Sequence, residues 1–296
     1  MRPVSTDTLR ILAPAPGIYA YYDGRIPGRR LWGAESNWLD DTVFSLGLAS
    51  YAIVDDGEAL VYDTHMSLAH ARRIRAHLEG LGVARIQVAL SHWHDDHVAG
   101  NAVFADCPII ALERSAQYLE AHREQMARAT PPIDPLVMPT RLFGDRLELA
   151  VGSRMVELRR FEIHTADGNV LYLPDARILL AGDTLEDPVT YINEPERVPV
   201  HLAELDRLAA LDIDRILPNH GSPDRIAAGG YDRRLIRATQ RYLRRLLAGT
   251  PATAPLAEVI AEDLAAGILD ACPAYDEVHR QNVRAMAALR AGGASG

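Results

Sequence analysis

Apolar positions recur every second residue in some stretches of this chain and at helical spacing in others, and the change of period marks the elements. "FSLGLASYAIV" and "EALVYDT" read as strands joined at Asp55-Asp56-Gly57, a hairpin turn signal. Leu68, Ala71, Ile74, Leu78 and Leu81 then follow at helical spacing, and Gly80 and Gly82 close that helix. "RIQVAL" is a short branched run of the kind that forms a buried strand, and it delivers the chain to Ser91. "PIIALER" reads as a further strand, residues 115–129 as a helix, and "TPPIDPLVMPT" as a proline-broken loop. From about residue 145 strands dominate: "RLELAV", "RMVELRRFEIH", "NVLYLP" and "ARILLAGD". A helix over 200–211 leads into the short strand of "DRILPNHGSP". Past residue 230 the pattern is helical only, in "YDRRLIRATQRYLRRLL", "APLAEVIAEDLAAG" and "YDEVHRQNVRAMAALRA". The alternation predicts an α/β body of two similar halves over residues 1–230, with a helical C-terminal extension over 231–296 that ends in a disordered "GGASG".

Composition narrows the partners. The 296 residues are 48% apolar and 24% charged, an ordinary globular balance. With 40 acidic residues against 31 basic, the net charge of −9 argues against a nucleic-acid surface, which needs clustered cations. The opening stretch has no apolar run of signal-peptide length, and no window approaches a membrane span. Cys107 and Cys272 lie far apart, so no disulfide framework is expected; a reduced, cytoplasmic setting fits.

One stretch stands out chemically. "SHWHDDHVAGN" places His92, His94 and His97 around Asp95 and Asp96 within six positions. A solvated polar turn is the plain alternative to a metal site. It is countered by His164, Asp183 and His220, each at the end of a strand expected to be buried. Burial of a polar group without a partner costs roughly 2–7 kcal/mol. Imidazole and carboxylate are donors that zinc accepts. Zinc takes about four ligands, so the seven donors His92, His94, Asp96, His97, His164, Asp183 and His220 imply two cations. Asp183, with two oxygens, is the natural bridge.

These residues carry a resemblance. "SHWHDDHVAGN" matches the H-x-H-x-D-H motif of the metallo-β-lactamase-fold superfamily, "IHTADGNVLYLPDARILLAGDT" is similar to its third-histidine and bridging-aspartate segments, and "ILPNHG" resembles its final histidine segment. The likeness covers roughly residues 16–225. It implies an αββα sandwich with metals at one edge. It also implies one metal on His92, His94 and His164, a second on Asp96, His97 and His220, Asp183 between them, and Asp63 behind a ligand histidine. Aspartate at 183 looks like glyoxalase II, the lactonases and the phosphodiesterases, whereas "HTADGN" looks more like the β-lactamase pattern.

The expected chemistry is hydrolysis of a carboxylic acid derivative (thioester, lactone, ester or amide) by a hydroxide held between two Zn2+, iron and manganese being acceptable to the same donors. A phosphodiesterase or sulfatase of the same fold, or an iron-dependent persulfide dioxygenase, is the alternative. Asp96 doubles as the candidate for orienting the nucleophile, while Asp95 reads as a solvated loop carboxylate. Trp93, Tyr191, Asn193, Tyr275 and His279 are pocket candidates; His65, His70, His77 and His122 read as ordinary helical or surface histidines. The partner is a small-molecule substrate, with no nucleic acid and no membrane; a homodimer is compatible with the sequence.

Overall fold

In the computed structural model, which describes residues 4–293, two sheets lie face to face. The first holds seven strands in sequence order: β1 (Arg10–Ala15), β2 (Ile18–Asp23), β3 (Leu48–Asp55), β4 (Glu58–Tyr62), β5 (Arg85–Ala89), β6 (Ile109–Leu112) and β7 (Arg141–Phe143). β1 to β4 pair antiparallel and β4 to β7 parallel. The second holds β8 (Arg146–Val151), β9 (Arg154–Arg160), β10 (Asn169–Leu173), β11 (Ile178–Gly182) and β12 (Arg215–Pro218), antiparallel except for the β11–β12 pair. Parallel neighbours need crossover connections. Helices α1 (Leu68–Gly80), α2 (Asp95–Val98) and α3 (Glu113–Arg128) lie between the parallel strands of the first sheet, and α4 (Val198–Ala209) between β11 and β12. The remaining helices are α5 (Pro223–Ala227), α6 (Arg234–Ala248), α7 (Leu256–Val259), α8 (Ala261–Ala265) and α9 (Tyr275–Gly293).

Alternation along each strand sorts its side chains into layers. Tyr22, Tyr51, Ile53, Leu60 and Tyr62 of the first sheet meet Val156, Leu158, Leu171, Leu180 and Leu217 of the second. The opposite faces, Ala52, Val61 and Val88, take Ala71, Ile74 and Leu78 of α1 and Leu119 of α3. Val170, Leu179 and Ile216 take Leu205 of α4, Leu243 and Leu246 of α6, and Val283 and Met286 of α9. The result is an αββα sandwich, and the helices after residue 230 share one apolar cluster with the second sheet.

Three tyrosines cross between the sheets. Tyr22, Tyr51 and Tyr62, from consecutive strands, donate their hydroxyls to the carbonyls of Gly221 (3.1 Å), Pro218 (2.6 Å) and Asn169 (2.7 Å). All three are fully buried.

Some elements differ from the sequence reading. β9 stops at Arg160 rather than running through His164. Phe161 N bonds the Gly168 carbonyl and Gly168 N bonds the Thr165 carbonyl, which folds 161–168 into a tight loop. Within it Phe161 and Ile163 stay buried, so the alternating pattern persists where the strand does not. The paired strands β1 and β2 and the short β7 carried too weak a pattern to be read. "APLAEVIAEDLAAG" is two short helices that part at Ile260. The last three residues of "GGASG" lie outside the described residues.

Candidate metal centre

Beyond β5 the chain turns through Ser91, His92 and Trp93 and enters α2 at Asp95. This puts His92 and His94 in the turn, and Asp96 and His97 in the first turn of the helix, all facing the gap between the sheets. His164 comes from the 161–168 loop, where its φ of +69° is a strained value for a residue with a Cβ. Asp183 follows β11 and His220 follows β12. Thus both halves of the chain contribute, each at the same edge of the sandwich.

The donor atoms converge in groups. His94 Nδ1 lies 2.9 Å from His92 Nε2 and 3.0 Å from His164 Nε2. Asp96 Oδ2 lies 3.4 Å from His97 Nε2 and 3.2 Å from His220 Nε2. Asp183 Oδ2 sits between the two groups, 3.2 Å from His97 Nε2, 3.4 Å from His220, 3.7 Å from His92 and 3.8 Å from His164. Each of the sets His92–His94–His164, His92–His97–Asp183 and Asp96–His97–His220 has its donors within 4.8 Å of one another.

Whether these residues suit a cation can be judged from their outer hydrogen bonds. His164 Nδ1 lies 2.8 Å from the Tyr191 carbonyl and His220 Nδ1 2.6 Å from that of Gly47. A carbonyl only accepts, so each Nδ1 carries a proton and each Nε2 is the nitrogen turned inward, free to serve as a ligand atom once a cation takes the place of any proton there. His97 Nδ1 faces Asp63 Oδ2 at 2.9 Å, and Asp63 is itself fixed by Ser91 N (2.7 Å) and Asn219 Nδ2 (2.6 Å). Asp183 Oδ1 is buried without a hydrogen-bond partner. Lone pairs and carboxylates aimed at common points repel unless a cation lies there, and this donor set fits divalent zinc or its neighbours.

Electrostatics separate the two ends. Burial, then the neighbouring imidazoles, drives His92 well below the ordinary histidine value and pushes His94 down to about 3, and burial lowers His164 against the opposing pull of Asp183. Burial also opposes the charged forms of His97 and His220, but the carboxylates of Asp96 and Asp183 outweigh it and hold both well above that value. The first end is therefore neutral imidazole, the second acid-rich.

A cavity of about 350 Å3 opens onto the cluster, lined by His94, Asp96, His164, Asp183 and His220 together with Trp38, Leu46, Trp93, Met126, Tyr191, Glu186, Ala274 and Val278. No arginine lines it among the described residues, and the chain contains no lysine. Burial, then Asp183, pushes the Glu186 carboxyl up to about 8. Trp93 stacks on His122 at 4.1 Å and forms wall.

Tyr191 lines the cavity, but Asn193 is exposed and outside it. Tyr275 and His279 stand behind the wall: Tyr275 donates to Glu186 Oε2 (2.8 Å), and His279 Nδ1 meets the Tyr242 hydroxyl (3.0 Å). It is Ala274, Glu277, Val278 and Gln281 of that region that face the cavity, because a helix turns its neighbours to other sides. Asp95 opens α2 instead of lying in a loop; it is half-buried, lines the cavity, and burial pushes it up to about 6. His65 and His70 are not surface residues either: they stack at 4.4 Å in the core, where His70 Nε2 meets Asp23 Oδ2 at 2.9 Å.

Several residues of the site escaped the sequence reading. Glu186 carries no signal in the sequence, while Asn219 reads there only as a turn cap, Asn169 only as part of the "HTADGN" segment and Asn282 only as a polar residue in need of neighbours, because their roles depend on partners far along the chain. Asn169 Nδ2, for example, donates to the carbonyls of Leu90 (2.8 Å) and Ser91 (2.7 Å), tying the two halves together beside the histidines.

Comparison with known proteins gives a consistent set. The family model described as the metallo-beta-lactamase superfamily matches residues 47–220. A linear primary-alkylsulfatase of a Pseudomonas species is 23% identical over 208 residues, 55% of this chain and 39% of that protein. A beta-lactamase-like protein 2 homolog of Caenorhabditis elegans is 25% identical over 174 residues, 58% of this chain and 52% of that one. The chain thus spans about half or less of the length of the curated relatives it matches. Among solved structures, the DIM-1 metallo-beta-lactamase superposes with a TM-score of 0.61 at 19% identity, covering 82% of this chain and 98% of that one. A metallo-beta-lactamase from Pontibacter korlensis gives 0.61 at 16% identity, covering 80% and 99%. At such identities these structures speak for the fold.

Proposed function

The chain belongs to the metallo-beta-lactamase superfamily, and from that premise we propose that it is a dinuclear zinc hydrolase of a carboxylic acid derivative: a thioester, lactone, ester or amide. One observation carries the reading. Asp183 Oδ2 lies 3.2–3.8 Å from four inward-facing imidazole nitrogens while its other oxygen is buried and partnerless. His92, His94 and His164 would hold one cation, Asp96, His97 and His220 the second, and Asp183 would bridge. Divalent zinc supplies Lewis acidity, making water acidic near neutral pH and polarising a carbonyl.

The chain's own residues do the rest. Asp63 keeps His97 oriented, and the Tyr191 and Gly47 carbonyls keep His164 and His220 in the tautomer with Nε2 free. Asp96, beside its role as a ligand, orients the attacking water. Trp38, Trp93, Met126 and Val278 exclude bulk water and present an apolar wall. With Asp41, Asp95 and Glu277 and no cationic side chain on that wall, the organic part of the substrate carries no negative charge. Residues 1–230 supply every proposed ligand, and the 231–296 extension closes one side of the cavity. Cys107 and Cys272 are both free thiols, in keeping with a cytoplasmic location.

The test is a panel of matched thioesters, lactones, esters, β-lactams, phosphodiesters and alkyl sulfates on protein whose metals are counted. Two zinc ions per chain, and turnover confined to carbonyl substrates and abolished in His94→Ala, are expected. Turnover of the sulfate or phosphate members alone would transfer the site to the other bond class, as the alkylsulfatase relative would suggest. A protein that takes up no metal would overturn the reading.

A further inference from the structure

His164 is one of the clustered histidines held from behind by a backbone carbonyl. It sits on a loop with a positive φ, and the hydrogen bond behind its outer nitrogen is to the Tyr191 carbonyl at 2.8 Å, with Glu186 Oε1 farther off at 3.9 Å. That carbonyl belongs to a segment that is neither helix nor strand, residues 183–194. A metal ligand is only as well aimed as the group behind it. The question is therefore what fixes Tyr191.

The answer lies in the C-terminal helix. Asn282 accepts from Ile192 N through Oδ1 (2.9 Å) and donates from Nδ2 to the Thr190 carbonyl (3.0 Å), so one amide grips the backbone on both sides of Tyr191. The Tyr191 N–H itself donates to Glu186 Oε1 (2.9 Å), and Tyr275 donates to Glu186 Oε2 (2.8 Å). Tyr275 and Asn282 are seven residues apart, two helical turns, and so share one face of α9. Both are fully buried. The Tyr242 hydroxyl meets Asn282 Nδ2 at 3.1 Å and His279 Nδ1 at 3.0 Å, and His279 Nε2 meets the Ala254 carbonyl at 3.1 Å. The amide is thus braced from α6 as well and has no room to swing.

We propose that α9 is a positioning element of the metal centre: Asn282 and Tyr275 fix the 186–192 segment so that the Tyr191 carbonyl holds His164 in the direction and tautomer that a cation requires. The proposal rests on the reading of His164 as a ligand. It assigns to the C-terminal extension a role in metal affinity, beyond closing the cavity. Loosening the grip leaves His164 free to rotate or change tautomer, and the ion on the His92–His94–His164 end suffers while the Asp96–His97–His220 end does not.

The test uses the full chain with Tyr275→Phe, which removes one oxygen, and Asn282→Ala, which removes the amide. Zinc affinities are measured by competition with a chromophoric chelator. The visible spectrum of the cobalt-loaded protein is recorded, and the melting of the metal-free protein serves as the control for folding. Expected is a loss of about tenfold or more in affinity for one of the two ions in Asn282→Ala, a smaller loss in the same ion for Tyr275→Phe, and a changed cobalt band for that site alone. A purely structural brace would lower the melting temperature and leave both affinities and the spectrum unchanged in the folded protein; that result overturns the proposal. If Asn282→Ala does not fold, Tyr275→Phe decides, and parental affinities with a parental cobalt spectrum in it overturn the proposal. A parent that binds two ions while the variants match it rejects this inference alone. A parent that binds none rejects the metal-centre reading and the inference with it.

Discussion

Asp167 lies three residues beyond His164, and burial pushes its carboxyl up to about 6, against Ser115 and Thr165, which favour its charge. The protonated form is thus the one the fold favours. Its stabilisation is complete below the unfolded value of 3.8 and is lost as pH rises through about 6. Asp167→Asn has the same shape and no charge to bury. Its stability relative to the parent should climb between pH 4 and 7 and then level off, by on the order of 2 kcal/mol. Paired melts of the metal-free proteins across that range check this, and a pH-independent difference would refute it. Single residues were legible in proportion to how poorly they suited a bland environment. His92, His94, Asp96, His97, His164, Asp183 and His220 stood out because buried donors need partners. The surroundings of Asp95 and His70 are not legible in the same way, because nothing in sequence says that a cavity wall or the distant Asp23 stands beside them.

Strands and helices with a clean period were found close to where they lie, as for α1 and β3 to β5. The loop carrying His164 reads as strand because its apolar residues keep alternating while its backbone turns on local hydrogen bonds. A junction between elements offers the sharpest test at this scale. Gly47 leads into β3 at φ +77°, and a Cβ there would stand 2.0 Å from the Tyr22 hydroxyl. Its carbonyl also accepts from His220. Gly47→Ala combines backbone strain with a clash against a fully buried ring, so a loss of about 2 kcal/mol or more is expected, together with weaker zinc binding. Thermal melts with and without chelator separate the two effects, and an unchanged melting temperature would contradict the account.

At the scale of the whole molecule, the order of strands and helices conveyed the layered architecture, but not which faces meet, since that depends on contacts between residues over a hundred positions apart. The three crossing tyrosines are the plainest of these contacts, and they have a consequence for strong base. Burial, then the charges near them, keeps the Tyr51 and Tyr62 hydroxyls well above the ordinary phenol value of 10, and burial raises Tyr22 likewise. None can ionise while it still donates to its carbonyl across the gap. Each must release its proton at the moment the sheets part, so above pH 10 unfolding liberates three protons from these positions together. Linkage converts that into about 4 kcal/mol of stability lost per pH unit. The protein should therefore resist alkali and then come apart within a fraction of a pH unit, with a step in tyrosinate absorbance that coincides with the loss of secondary structure. Ionisation of these phenols well ahead of unfolding would show that they do not clasp the sheets.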